Sequence, residues 1–192
     1  IKRLVSCPVA VESMGVDLSL FKSKPKEKFD KKVLFVGRIT QAKGVDHIVK
    51  AARLMPDWNF TIVGDGPYLS ELKESADKLV NVTFTGAVDN GDLPKYYHEA
   101  DLFLLPSQRE GMPVSIIESL ACGTPVIATD VGQISEIVIN GENGQLIEES
   151  GESIEVALNS IATQGTWKQM SLNAPNSVSD RDMNEVAKRI IS

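Results

Sequence analysis

Cysteine is nearly absent from this chain. Cys7 and Cys122 are the only two, too few and too far apart for a disulfide framework or a structural zinc site, and the expected state is a pair of reduced, cytoplasmic thiols. Long apolar runs are missing as well. The densest stretch, 101–106, is strand-sized and falls well short of the roughly 18 residues that span a bilayer. The first residue is Ile1 rather than methionine, and nothing near it resembles a secretory leader, so the sequence is expected to be a piece of something longer. Aromatics make up only 6% of the 192 residues, against 42% apolar and 24% charged. That balance is ordinarily globular and excludes collagenous, low-complexity and disordered chains.

Several familiar signatures are also lacking. There is no Gly-x-Gly-x-x-Gly and no Gly-x-x-x-x-Gly-Lys-Ser/Thr, which removes the usual dinucleotide fingerprint and the P-loop. His47 and His98 have no second ligand at metal-binding spacing, so no metal is expected. No Ser/His/Asp or Cys/His arrangement announces a nucleophile, and Cys122, at a helix end, reads as a small core residue.

What is present begins with an uneven charge. Residues 1–50 carry a net +6 and residues 51–192 a net −12. Much of the positive part lies in 22–32, which reads as a solvated linker rather than a nucleic-acid patch, since Phe29 is its only interior aromatic and no periodic helix opens there. Just before it, Met14-Gly-Val-Asp17 is expected to turn with Gly15 at positive φ.

From Lys32 onward, short apolar runs at 33–36, 60–63, 82–85, 102–105 and 126–128 alternate with helix-period segments near 44–54, 67–79, 92–99, 113–122 and 132–139. This alternation predicts an α/β chain of βαβ units on a parallel sheet flanked by helices. A short strand is expected at 145–147 and helices at 152–163 and 178–191, with 164–177 a loop holding at most a short helix around Trp167. Each strand ends in small or helix-breaking residues, and in such a sheet those ends share the edge where ligands bind.

Three loops on that edge could carry chemistry. In Glu110-Gly-Met-Pro-Val-Ser-Ile-Ile-Glu118, Pro113 suits a first helical position, and the amides of Val114, Ser115 and Ile116 would face an anion. Side chains lean toward a helix N-terminus, so Glu118 can reach the same mouth. Two carboxylates beside a phosphate make sense only if they accept hydrogen bonds from hydroxyls of the same ligand. The loop 37–44 offers Arg38 and Lys43, a charge match for a diphosphate. The turn Gly64-Asp-Gly-Pro67 allows close backbone approach, with Pro67 opening the next helix. On spacing alone, a surface loop residue for Glu110, a solvated helix residue for Glu118 and exposed cations for Arg38 and Lys43 are the favoured readings.

The ordered series changes that balance. Gly37-Arg38, Lys43-Gly44, Val63-Gly-Asp-Gly-Pro67, Ala100-Asp-Leu-Phe-Leu-Leu-Pro-Ser107, the Glu110/Glu118 pair and Ala121-Cys-Gly-Thr-Pro-Val-Ile-Ala-Thr129 together resemble the C-terminal half of group 1 glycosyltransferases. These are the retaining, nucleotide-sugar-dependent enzymes of glycosyltransferase family four. The resemblance covers roughly 33–148. The stretch 8–21 is similar to the family's interdomain hinge, with Ser13 and Met14 where Pro and Asn are more usual, and Gly132-Gln133 stands where a second Gly is common.

The resemblance implies a Rossmann-like, GT-B-type donor domain at 33–192, a hinge and linker at 1–32, a loop and helix at 164–192, and an acceptor-binding N-terminal domain that this chain lacks. It implies transfer of a glycosyl group from a nucleotide-diphosphate sugar, in the cytoplasm or at the cytoplasmic face of a membrane, without a cofactor. The isolated chain would be inactive. Arg38 and Lys43 would bind the diphosphate, Glu118 the ribose and Glu110 a hydroxyl of the transferred sugar. Gly111, Met112, Pro113, Val114 and Ser115 would line sugar and phosphate, Val88 would lie near the base, and Gly64 and Gly66 would admit the ligand to the backbone. A nucleotide-sugar epimerase is a rival, against which the Glu110/Glu118 motif argues. A non-enzymatic nucleotide-sugar-binding module is another.

Overall fold

The computed structural model describes residues 14–191. Cys7 and the part of the hinge resemblance at 8–13 lie outside them. Six strands form one sheet: β1 (Lys32–Val36), β2 (Asn59–Val63), β3 (Val82–Gly86), β4 (Leu102–Leu105), β5 (Val126–Thr129) and β6 (Gly144–Ile147), in the order β3-β2-β1-β4-β5-β6. Every pairing is parallel, from Val82 opposite Phe60 at one edge of the sheet to Thr129 opposite Ile147 at the other. β4 and β5 are buried along their whole length, as continuous apolar runs in a sheet covered on both faces must be. The α/β expectation therefore holds, with each of the expected strands in place.

The seven described helices are α1 (Val45–Leu54), α2 (Leu69–Ser75), α3 (Leu93–Glu99), α4 (Val114–Ala121), α5 (Gly151–Gln164), α6 (Trp167–Asn173) and α7 (Met183–Ile191). α1 shows why they form where they do. Val45, Ile48, Val49 and Ala52 recur on one buried stripe, and Gly44 adopts the left-handed conformation that ends the preceding turn. α5 is capped by Ser150, whose hydroxyl accepts from the Ser153 amide at 2.9 Å. Because β1–β3 run one way from the centre and β4–β6 the other, right-handed crossovers put α1 and α2 on one face and α3 and α4 on the opposite one. α5 returns to pack on α1. None of the described helices is long and apolar enough to cross a membrane.

Four local expectations are corrected. The helix expected at 132–139 contracts to a 3-10 turn at Ile134–Glu136. Buried Asn143 captures the chain beyond it, accepting from the Ile139 amide and donating to the Ile137 carbonyl, each at 2.8 Å. The last helix begins at Met183 rather than 178, since Val16 and Asp182 pair there as an isolated bridge. Gly15 is not among the positive-φ residues; a Cβ there would come within 2.7 Å of Met183 Cα, so it serves close packing. Pro67 does not open a helix, because α2 is capped by Tyr68.

The segment before β1 is packed onto the domain. Val16 and Phe21 are buried, and Phe29 is wedged between Trp58 and Trp167, ring centroids 5.7 and 5.3 Å away. Asp101, just ahead of β4, accepts from the Asp30 and Lys32 amides at 2.8 and 2.9 Å. Its carbonyl accepts from Trp167 Nε1 at 2.8 Å.

Candidate functional site

The strand order reverses between β1 and β4, and the crevice outside the carboxyl ends of those two strands is where open α/β sheets bind ligands. The loops bordering it are the ones that carry Lys43 and Glu110. They are fastened to each other: the Gln108 amide donates to the Ala42 carbonyl at 2.9 Å. Lys43 Nζ lies 2.6 Å from Glu110 Oε1, with the carboxylate side chain 8% exposed. Ser107 Oγ donates to the same oxygen at 2.7 Å, and Thr129 Oγ1 holds the Ser107 carbonyl from below at 2.5 Å. Glu110 is thus fixed by a cation and a hydroxyl.

Gly132 explains how the Glu110 loop is seated. At φ 63° it passes so close that a Cβ would collide with the Glu110 carbonyl oxygen, and the next amide, of Gln133, donates to the Gly111 carbonyl at 3.1 Å. Only glycine fits both the conformation and the approach. The departure at Gln133 leaves this turn intact.

A cleft of about 330 Å³ opens beside β1, β2 and β3 and is lined by Arg38, Gly64, Asp65, Ala87, Val88 and Leu93, among others. Arg38 is exposed and makes no hydrogen bond or ion pair with the described residues. Gly64, at φ 135°, lets the second loop run against the first, since any Cβ would strike the Gly37 carbonyl. Gly66 makes a similar approach to the Ile39 carbonyl but is not part of the cleft wall. The structure therefore brings Arg38, Gly64 and Val88 together.

At the mouth of α4, Pro113 is the capping residue, extended at ψ 116°, and not the first helical residue. One consequence corrects the expected anion site: the Ile116 amide is bonded to the Pro113 carbonyl at 3.1 Å. The amides of Val114 and Ser115 remain open, and two donors at a helix start still favour an anion. Gly111 is exposed at the crevice, with Met112 partly buried beside it.

Glu118 is not a solvated helix residue. It is 8% exposed, and Tyr97 Oη, itself fully buried, donates to its Oε2 at 2.8 Å. Burial pushes the Glu118 carboxyl up and the Tyr97 hydroxyl pulls it partway back. No described residue bonds Oε1. Tyr97 was not singled out by sequence, nor was Ser107 as a partner of Glu110. No bond joins Glu118 to the Lys43–Glu110 pair.

The remaining titratable groups have other work. His47 Nε2 and Gln108 Nε2 both meet Glu149 Oε1, at 3.2 and 2.8 Å; His98 Nε2 donates to the Lys22 carbonyl at 2.7 Å. Burial pushes the Cys122 thiol up to about 12, as befits a core residue. Among the described residues no group of three His, Cys, Asp or Glu is placed to hold a metal.

Comparison with known proteins follows this geometry. A family model described as Glycosyl transferases group 1 matches residues 17–175. The O-antigen biosynthesis glycosyltransferase WbnH of Escherichia coli is 32% identical over 162 residues, 79% of this chain and 46% of that protein. The chain spans less than half the length of the curated relatives it matches first. The crystallised C-terminal domain of LpcC, a group 1 family protein of Francisella tularensis, superposes with a TM-score of 0.75 at 25% identity. That match covers 87% of this chain and 98% of that one. Anabaena HepE in complex with UDP-glucose shares the fold, with a TM-score of 0.80 at 23% identity over 92% of this chain and 54% of that one.

Proposed function

The chain belongs to the glycosyl transferases of group 1, and we propose that it is the donor-binding part of a retaining enzyme of that group. It holds a nucleotide-diphosphate sugar for transfer to an acceptor bound by a preceding domain. In this reading 33–192 is the donor domain and 1–32 its hinge and linker. The coverage of less than half of the relatives and the LpcC domain crystallised by itself support that division.

The observation that carries the proposal is the meeting of opposite chemical needs at one sheet edge. Arg38, Lys43 and the open amides of Val114 and Ser115 suit a diphosphate. Glu110 and Glu118 would repel a bare phosphate and suit hydroxyls. One ligand that carries phosphates between two polyols satisfies all of them. The HepE complex with UDP-glucose supports the same ligand class for this fold.

The roles follow from position. The base occupies the cleft by Val88 and Gly64, and Arg38 at its rim reaches the diphosphate. Glu118 Oε1 takes the ribose hydroxyls. Gly111, Met112 and Pro113 line the transferred sugar, and Glu110 accepts from one of its hydroxyls. When the bond from the anomeric carbon to the diphosphate breaks, the electron pair stays with the phosphate. Arg38, Lys43 and the α4 amides stabilise that charge.

The test is the melting temperature of the chain with UDP, GDP, ADP and their sugar conjugates, since a ligand that binds only the folded state raises stability. At least one should stabilise wild type and fail to stabilise the Arg38→Ala, Lys43→Ala double variant. No stabilisation by any of them would overturn the donor reading. Glycosyl transfer by the chain alone would overturn the division of labour, because an unfilled half-cleft neither orients an acceptor nor excludes water.

A further inference from the structure

Glu118 is an awkward residue to keep: an ionised side chain on the buried face of α4 needs a donor or loses its charge or its place. Among the described residues its one donor is Tyr97, from α3. The tyrosine ring is itself locked, edge-on to Phe21 at 6.0 Å and tilted against Phe103 at 5.8 Å. The hydroxyl therefore has a fixed address.

The far end of the same helix is held by a residue of the segment that precedes the domain. Lys26 Nζ donates to the Tyr97 carbonyl at 3.1 Å, to the Ala100 carbonyl and to Thr124 Oγ1 at 3.0 Å. Thr124 Oγ1 in turn donates to the Tyr97 carbonyl at 2.6 Å, and the Thr124 carbonyl accepts from Ser119 Oγ of α4 at 2.8 Å. A part-buried ammonium thus sits on the last carbonyls of α3, where a helix most favours a cation, and at the point where the ends of α3 and α4 meet. Every donor of the lysine is used on this junction, which is more than a lysine needs merely to tie down a linker.

We propose that Tyr97 is a positioning residue for the nucleoside end of the donor site, holding the Glu118 carboxylate through its hydroxyl, and that Lys26 fixes Tyr97 by capping its helix. The proposal rests on the donor reading of Glu118. It adds a residue that touches no ligand and a mechanical link from the segment before β1 to the carboxylate that grips the ribose. Displacing that segment loosens α3 first and Glu118 second, and leaves Arg38 and Lys43 untouched.

Two measurements test it. In the free chain, the titration of the Glu118 carboxyl followed by carbon-13 NMR should move upward in Tyr97→Phe, which keeps the ring and removes the donor. An unchanged titration overturns the proposal whether or not any nucleotide binds. The second compares, among UDP, GDP and ADP, the best binder with its 2′,3′-dideoxy analogue. Wild type should prefer the ribose form by about tenfold or more, the scale of a hydrogen bond to a charged group, and Glu118→Ala should abolish the preference. Tyr97→Phe and Lys26→Met should each reduce it roughly three- to tenfold while leaving dideoxy affinity unchanged, and neither should have an effect in the Glu118→Ala background. Equal losses for both nucleotides, or losses that persist without Glu118, would show Tyr97 and Lys26 to be structural only. Failure of every nucleotide to bind wild type would overturn the donor reading itself.

Discussion

Lys43 and Glu110, 67 positions apart in sequence, are partners, with the ammonium 2.6 Å from the carboxylate Oε1. The two were expected to serve different parts of a ligand, cation to diphosphate and carboxylate to sugar. In the structure each satisfies the other. In the proposed donor site the charge of Lys43 is thus already partly neutralised, so a phosphate bound there would redirect a cation rather than meet a free one.

Glu110→Gln should therefore separate two effects. Releasing Lys43 should raise affinity for a plain nucleoside diphosphate several-fold. The added affinity contributed by the sugar should fall by about 1.5–3 kcal/mol, the scale of a lost hydrogen bond to a charged group. Calorimetric titration with a diphosphate and its sugar conjugate reads both. A parallel loss for the two ligands would mean that Glu110 does not face the sugar.

Arg38 is exposed and makes no bond with the described residues, so it can meet a phosphate without first breaking an ion pair. Arg38→Ala should weaken diphosphate binding by about 1.5–3 kcal/mol. Because the domain beyond residue 50 is strongly acidic, attraction is local, and added salt should weaken wild-type binding more than binding by the variant. Excess chelator should change neither. Binding that vanished in chelator and returned with magnesium would refute the role given to the two cations.

Glu118→Gln should exchange function for stability. The folded carboxyl is raised above its unfolded value by burial, so the folded chain holds a proton that the unfolded chain releases, and stability falls as pH rises through that window. Above that window the whole penalty is present. The amide still accepts from Tyr97 without it. Denaturant unfolding at pH 7 should show the variant more stable than wild type, while nucleotide affinity drops about tenfold or more.

Lys26 gives the opposite slope. Burial lowers its ammonium to about 8 from an ordinary 10.5, so between those values the unfolded chain binds more protons and stability rises with pH. Relative to Lys26→Met, wild type should gain roughly 3 kcal/mol across that window and show no difference in slope below pH 7. Parallel curves above pH 8 would mean that the side chain is not buried as a cation.

The strands were legible because burial on both faces writes itself as uninterrupted apolar runs, as in 102–105. The turn at Ile134–Glu136 was not: the run 132–139 has helical spacing, and what stops it is the side chain of Asn143, arriving from further along the chain. Glu118 carried a usable sign of burial, four residues after Val114 and three before Ala121, inside the apolar stripe of its own helix. A carboxylate there demands a donor, but no spacing names Tyr97, because α3 and α4 become neighbours only by packing side by side on one face of the sheet. The Lys43–Glu110 pair was hidden for the same reason. It depends on the reversal of strand order that places β1 beside β4.

The chain contains two tryptophans, and both flank Phe29. Trp58 stands just ahead of β2, and Trp167 is bonded to Asp101 just ahead of β4, so both lie at the amino ends of strands whose carboxyl ends border the cleft or the crevice. Intrinsic fluorescence thus has a single address in this molecule. Its emission reports whether the segment before β1 is seated on the domain, and it does so from the edge opposite the proposed donor site, where a nucleotide bound at that site would stack on neither indole. The seating of that segment can be followed optically in the unlabelled protein while the site at the other edge is filled.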